Sequence, residues 1–169
     1  MKNALSFAAV ASLACTAALA QPTCSTGTLR GVYVGIHSGS TTVPTVMPGG
    51  PTLPPFTFEM VSRNTYDGRG GGSGTITANF FGIVSKGTIS KISYTVNDDC
   101  TVKITQTISS PAVPGLLPAM SVSSQHEGII RFDGEEVYLV SVAVNASGQG
   151  NVEQMARTVL KRVGPPWMQ

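Results

Sequence analysis

Charge is scarce in this chain: only 12% of its 169 residues are Asp, Glu, Lys or Arg, with 11 basic against 9 acidic side chains. A net charge of +2 spread over the whole length cannot build the dense positive surface that phosphate backbones require, so nucleic acid is not an expected partner. Histidine occurs only as His37 and His126, and cysteine only three times. These few ligands form no familiar cluster spacing, so neither a metal nor a cofactor is expected. After residue 20 no segment reaches the ~20 apolar residues that a membrane-spanning helix needs. What is abundant is apolar side chains, 41% of the chain, together with 19 Gly and 11 Pro. That mixture and length suit one packed domain rather than a solvated tail.

Met1-Lys2 is followed by an apolar run from residue 4 to residue 20, broken by Ser6, Ser12 and Thr16, and Ala18-Leu19-Ala20 stands before the polar Gln21-Pro22. This reads as a secretory signal over 1–20 and a single domain over 21–169, with a secreted or periplasmic destination and no membrane contact after cleavage. A lipoprotein cut before Cys15 is the alternative. Cleavage after Ala20 leaves Cys24 and Cys100 as the cysteine pair, and an even count in an oxidising compartment predicts one disulfide. Closing a loop of about 77 residues is worth up to about 4 to 5 kcal/mol in the chain-entropy model.

From Gly31 onward, short runs rich in Val, Ile, Thr, Tyr and Phe are separated by Gly, Pro, Asn and Asp. Eight runs stand out, at 31–37, 56–65, 74–80, 87–96, 100–109, 119–132 with a bulge near His126, 137–144 and 151–162. Most alternate with period two, as half-buried strands do. The last run also fits a helix through Val152, Met155, Ala156, Val159, Leu160 and Val163; we read it as a strand because a seven-strand sheet would leave two apolar edges open. The expected fold is therefore an all-β, antiparallel up-and-down barrel of about eight strands, with a C-terminal helix as the alternative for the last element.

Connection lengths orient the barrel. Polar turns join runs two and three, four and five, and six and seven, whereas the connections at 38–55 and 110–118 are long and rich in proline. In a meander these two classes fall at opposite ends, which predicts a tight floor and a loop-rimmed mouth. Cys24 and Cys100 both fall at the floor, so residues 24–30 should cross beneath the lumen and plug it.

Three short segments, Gly31-Val32-Tyr33, Tyr66-Asp67-Gly68-Arg69-Gly70 and Tyr94-Thr95-Val96-Asn97-Asp98-Asp99-Cys100-Thr101, resemble those of small secreted barrels of the calycin, allene-oxide-cyclase and dirigent types. The resemblance implies either binding of a small apolar ligand or steering of a reactive intermediate without a cofactor. No catalytic residue of those families matches by position, and Tyr33 stands where a lipocalin Gly-x-Trp opening has Trp.

Facing the apolar rows inward places Val32, Val34, Ile36, Phe56, Phe58, Met60, Ile76, Phe80, Ile92, Tyr94, Val102, Ile104, Tyr138, Val140 and Val142 in the lumen. Gln106, His126 and Arg157 interrupt these rows. A buried polar group costs a few kcal/mol without a partner, so each interruption needs a reason. Either they hold the polar end of a ligand, or they satisfy one another or point outward. The expected role is binding of a small, largely apolar molecule, oriented by Gln106, His126 or Arg157, with Tyr94 and Tyr138 as further contacts and Leu116-Leu117 closing the mouth. The alternatives are a cofactor-free isomerase or cyclase with His126 as acid or base and Tyr94 or Tyr138 as hydrogen-bond donor, and a surface or interaction protein whose exterior does the work. Asp98-Asp99 reads as turn chemistry rather than a calcium site.

Overall fold

A computed structural model describes residues 23–42, 55–80, 82–112, 119–147 and 150–164. The described chain is almost entirely strand: β1 (Arg30–Thr42), β2 (Phe56–Asp67), β3 (Gly71–Phe80), β4 (Ile83–Val96), β5 (Thr101–Ser110), β6 (Met120–Arg131), β7 (Glu136–Ala146), the two-residue β8 (Gly150–Asn151) and β9 (Glu153–Arg162). Each strand from β1 to β7 pairs antiparallel with the next, and β9 pairs with both β1 and β7. The sheet thus closes into an eight-stave up-and-down barrel, with β8 a short extension on β7. The last long run is a strand despite its helical periodicity. It has a ladder partner on either side, with β1 over Glu153–Arg162 and with β7 over 157–161.

The floor follows from turn chemistry. Asp67 Oδ1 accepts the backbone N–H groups of Arg69 at 2.7 Å and Gly71 at 2.9 Å, which folds the β2–β3 turn, and these bonds hold its carboxyl below the usual range. Asp99 does the same for β4–β5 by accepting the Thr101 hydroxyl at 2.7 Å and its N–H at 3.0 Å. Of the Asp98-Asp99 pair, Asp99 thus caps the turn with its carboxylate, and Asp98 contributes a backbone carbonyl to Cys24. Cys24 and Cys100 form the predicted disulfide, with Cα atoms 4.9 Å apart, and the Cys24 N–H donates to Asp98 O at 3.2 Å.

From that anchor a 3-10 turn (Thr26–Thr28) leads to Leu29, which is fully buried beneath the barrel. Tyr94 donates its hydroxyl to Leu29 O at 2.8 Å, and the Arg162 guanidinium donates to Thr28 O at 3.0 Å and Asp133 O at 3.2 Å. The N-terminal segment is the plug that the cysteine positions imply. Above it, Tyr33, Tyr66 and Tyr94 meet edge to face, with ring centroids 5.3 and 5.4 Å apart, and pack with Ile92, Val102, Ile104, Ile130, Val137 and Leu160. Each such aromatic pair is worth roughly 0.5–1.5 kcal/mol beyond the area it buries.

At the other pole, β1 ends and β2 begins in register, Thr41 opposite Phe56, and β5 meets β6 at Ser110 opposite Met120. The ends of both long connections therefore share the mouth. Pro48, Pro114, Leu116 and Leu117 lie outside the described residues, as does the segment read as a secretory signal.

Two strands face the other way from their expected frame. In β1 the inward positions are Tyr33, Gly35, His37 and Thr41, whereas Val32 and Val34 lie half-buried on the outer wall and Ile36 is 65% exposed. Steric fit explains this. A Cβ on Gly35 would come within 2.5 Å of Ser62 Oγ and 2.7 Å of Leu160 Cδ2, so the glycine has to face the packed lumen. The Tyr33 hydroxyl then finds Gly134 O at 2.5 Å and the Arg162 guanidinium at 3.0 Å. In β7 the inward residues are Val137 and Leu139, so Tyr138 is on the outside and Val140 and Val142 are exposed. That strand is apolar on both faces, and period two cannot choose between them. The ladder shifts register opposite His126, where Gln125 pairs with Ala143 and His126 with Ser141. A bulge does lie opposite His126, but its extra residue is Val142 of β7 and not, as expected, a residue of the run 119–132. Arg157 on β9 also points outward, and Phe56 is half-buried.

Candidate functional site

Above the aromatic floor the lumen becomes polar. His37 on β1 has Nε2 2.8 Å from Ser62 Oγ and Nδ1 2.8 Å from Thr158 Oγ1. His126 on β6 has Nε2 3.2 Å from the Gln106 amide nitrogen and 3.0 Å from Ser124 Oγ, with Nδ1 3.2 Å from Ser141 Oγ. An amide nitrogen can only donate, so Nε2 of His126 accepts and its proton sits on Nδ1, directed at Ser141. Both rings are buried. Burial, reinforced for His37 by the second imidazole, lowers each pKa to about 4. The belt is therefore uncharged at neutral pH, and its neighbours are hydroxyl and amide groups.

Gln106 and His126 thus satisfy one another, the second of the two readings offered for the interrupted rows. Tyr94 belongs to the floor, where its hydroxyl is bound to Leu29 O. Tyr138 sits on the outer wall, its hydroxyl donated to Glu136 at 2.7 Å and its ring 5.7 Å from the Arg131 guanidinium carbon. The structure unites one pair of the expected site residues and disperses the others. The His37–Ser62–Thr158 group was missed because the β1 frame was read one residue out. A signal was present: Gly31, Gly35 and Gly39 share a parity with Tyr33 and His37, marking the face where backbones approach closely.

Two cavities open on the β7–β9–β1 side. One, of about 520 Å³, lies at the mouth rim and is lined by Thr41, Thr42, Pro55, Val144, Val152 and Gln154, among others. No charged side chain is among its described lining residues. The other, of about 990 Å³, is an open groove on the outer wall, where Arg157 and Met155 stand opposite Thr57, Glu59 and Asn79. Ser40 and Met155 border both. Of the residues expected to contact ligand, Arg157 alone among those described lines either space.

Outside the barrel, one row of apolar side chains runs across five neighbouring strands. Val61 on β2 is opposite Ile36 on β1, Ile36 is opposite Val159 on β9, Val159 is opposite Tyr138 on β7, and Tyr138 is opposite Ile129 on β6. Val61 and Ile129 are half or more exposed, like Ile36. The outer positions of β3 and β5, by contrast, are Ser, Thr, Asn and Lys. No family model matches the chain, and no curated protein matches it.

Proposed function

We propose that this protein is a non-catalytic binding barrel that holds a small, uncharged and largely apolar molecule at the mouth rim between β7, β9 and β1. The observation that carries this reading is the rim cavity itself. Its volume is in the range of small-molecule sites, and it is lined by Val, Pro and Thr with Gln154 as an amide partner. The lumen further down is occupied by tyrosine and isoleucine side chains and by the histidine belt, which favours the rim over the deep lumen. A non-catalytic role is supported by the state of His126. It is neutral, and all its hydrogen-bond partners are neutral, so it lacks the matched carboxylate that would make it a general base. The Cys24–Cys100 disulfide favours a secreted or periplasmic setting.

Two measurements test the reading. Organic extraction of the purified protein followed by mass spectrometry should release a small apolar compound. N-phenyl-1-naphthylamine, an uncharged fluorescent probe, should bind with a single saturable phase. Thr42→Trp, which fills the rim, should weaken that phase by about tenfold or more, as expected when an apolar pocket is blocked. An empty extract together with probe binding unaffected by Thr42→Trp would remove the proposal.

The reading as an interaction protein is favoured by a different observation, the apolar row on the outer wall.

A further inference from the structure

The open groove on the outer wall owes its shape to short residues on β1. Ser38, Gly39 and Ser40 form a low stretch between the longer side chains of the two neighbouring strands. Ser38 stands opposite Glu59 on β2 and Arg157 on β9, and Ser40 stands opposite Thr57 and Met155. Apart from Gly39, all of these occupy outward positions. A glutamate and an arginine thus flank a serine-floored trough, with their backbones two strand steps, or about 9.5 Å, apart. Both are exposed. Among the described residues the ion pairs are Lys103–Glu127 and Lys161–Glu136, and neither Arg157 nor Glu59 belongs to one.

Towards the mouth the trough meets the rim cavity, since Ser40 and Met155 border both spaces. The wall is loosened at that level. The β7–β9 ladder ends at Val140 opposite Arg157, and pairing resumes where the Val152 N–H donates to Val144 O at 2.9 Å, so 141–143 and 153–156 form no regular ladder between them. This stretch supplies Val142, Ala143, Gln154 and Met155 to the rim cavity.

We propose that the rim cavity and the outer groove are the tail and head subsites of one ligand, a single-chain amphiphile with a zwitterionic head. The inference rests on rim binding and specifies what the rim ligand carries at its polar end: no net charge, but one charge of each sign. The rim cavity, with no charged side chain among its described lining residues, takes the chain. In the groove the Arg157 guanidinium donates to the anionic group of the head, with the Ser38 and Ser40 hydroxyls as further donors, and the Glu59 carboxylate receives the cationic group. A head of single sign lying in the same trough meets a like charge on one side, which selects against it. Arg157 therefore orients the ligand from outside the barrel wall.

The test is displacement of N-phenyl-1-naphthylamine by dodecyl amphiphiles held below their micelle concentrations. Dodecylphosphocholine is compared with dodecanoate and dodecyltrimethylammonium, and N-dodecylbetaine supplies a zwitterion with the two charges in reverse order. Two exposed charge contacts should give the tighter zwitterion about a tenfold advantage over either singly charged amphiphile at low salt, and the ranking of the two zwitterions tells which charge lies next to the chain. Glu59→Gln should cut the lead over dodecanoate by about threefold, and Arg157→Gln should cut the lead over dodecyltrimethylammonium by a similar factor. N-phenyl-1-naphthylamine itself should bind both variants as it binds the parent, and thermal melts verify that they are folded. A parent protein that binds this dye at the rim but ranks neither zwitterion ahead, or a lead that survives both substitutions, would overturn the inference and leave rim binding standing. Absence of dye binding, or dye binding indifferent to Thr42→Trp, would instead remove the rim reading, and the inference with it.

Discussion

Acid should unfold this barrel earlier than its carboxylates alone would dictate, because folding keeps two imidazoles uncharged. His37 and His126 titrate near 6.5 in an unfolded chain and at about 4 in the folded one. Between those values the unfolded state binds more protons, so stability falls as pH falls. The loss begins below about pH 6.5, reaches about 1 kcal/mol per histidine by pH 5.5, and amounts to roughly 5 kcal/mol for the pair by pH 4.5, before levelling off near pH 4. That sum is comparable with the whole stability of a small domain. Asp67, Asp99 and Glu136, whose folded pKa values are depressed, act in a lower window: their contributions are present above the unfolded carboxylate values and disappear as the pH drops through those of the fold.

The assay is urea denaturation at half-unit intervals from pH 7.5 to 4.5. The midpoint should decline steadily through the histidine window with an unchanged slope m. His126→Gln removes one titrating group while retaining hydrogen-bonding capacity, and it should halve the pH dependence whatever its effect on absolute stability. A midpoint that is flat between pH 6.5 and 5, or an equally steep decline in the His126→Gln variant, would refute the assignment of a neutral buried belt.

Other expectations concern the floor and the lumen. Replacing Cys24 and Cys100 with serine should cost up to about 4 to 5 kcal/mol, seen as a lower urea midpoint than that of the oxidised parent. Gly35→Ala should cost about 1–3 kcal/mol, because its methyl group would press on Ser62 Oγ and Leu160; a neutral result would mean that β1 does not lie with this face inward. Tyr33→Phe removes the hydroxyl that joins Gly134 O to Arg162 and should cost about 1–3 kcal/mol in the same assay, leaving rim binding of the apolar probe unchanged.

Much of the architecture was legible in the sequence because connections obey stronger constraints than strand faces do. Asp67-Gly68 and Asn97-Asp98-Asp99 favour tight turns, the proline-rich stretches do not, and an antiparallel meander sorts the two kinds to opposite poles. Cys24 and Cys100 then had one place to meet. Which side of a strand faces inward was harder to read wherever both faces are apolar. Val32, Val34 and Ile36 outweigh Tyr33, Gly35 and His37 in hydrophobicity, yet the second set faces the lumen because only glycine tolerates the close packing there and only the floor offers the Tyr33 hydroxyl its partners. The same ambiguity in Met155 and Val159 gave β9 its false helical rhythm. Of the polar belt, Gln106 and His126 were visible as interruptions of otherwise clean rows. Ser62 and Thr158 were not, since small hydroxyl residues on a strand carry no signal until a histidine is known to lie across from them.

The plugged floor has a consequence for how the molecule can be presented. Thr23 and Gly164, the first and last described residues, both leave the barrel from the disulfide pole, since β1 starts and β9 finishes there. A tether, fusion partner or immobilising tag attached beside Thr23 or Gly164 would therefore be planted at the base, at the pole opposite the rim cavity.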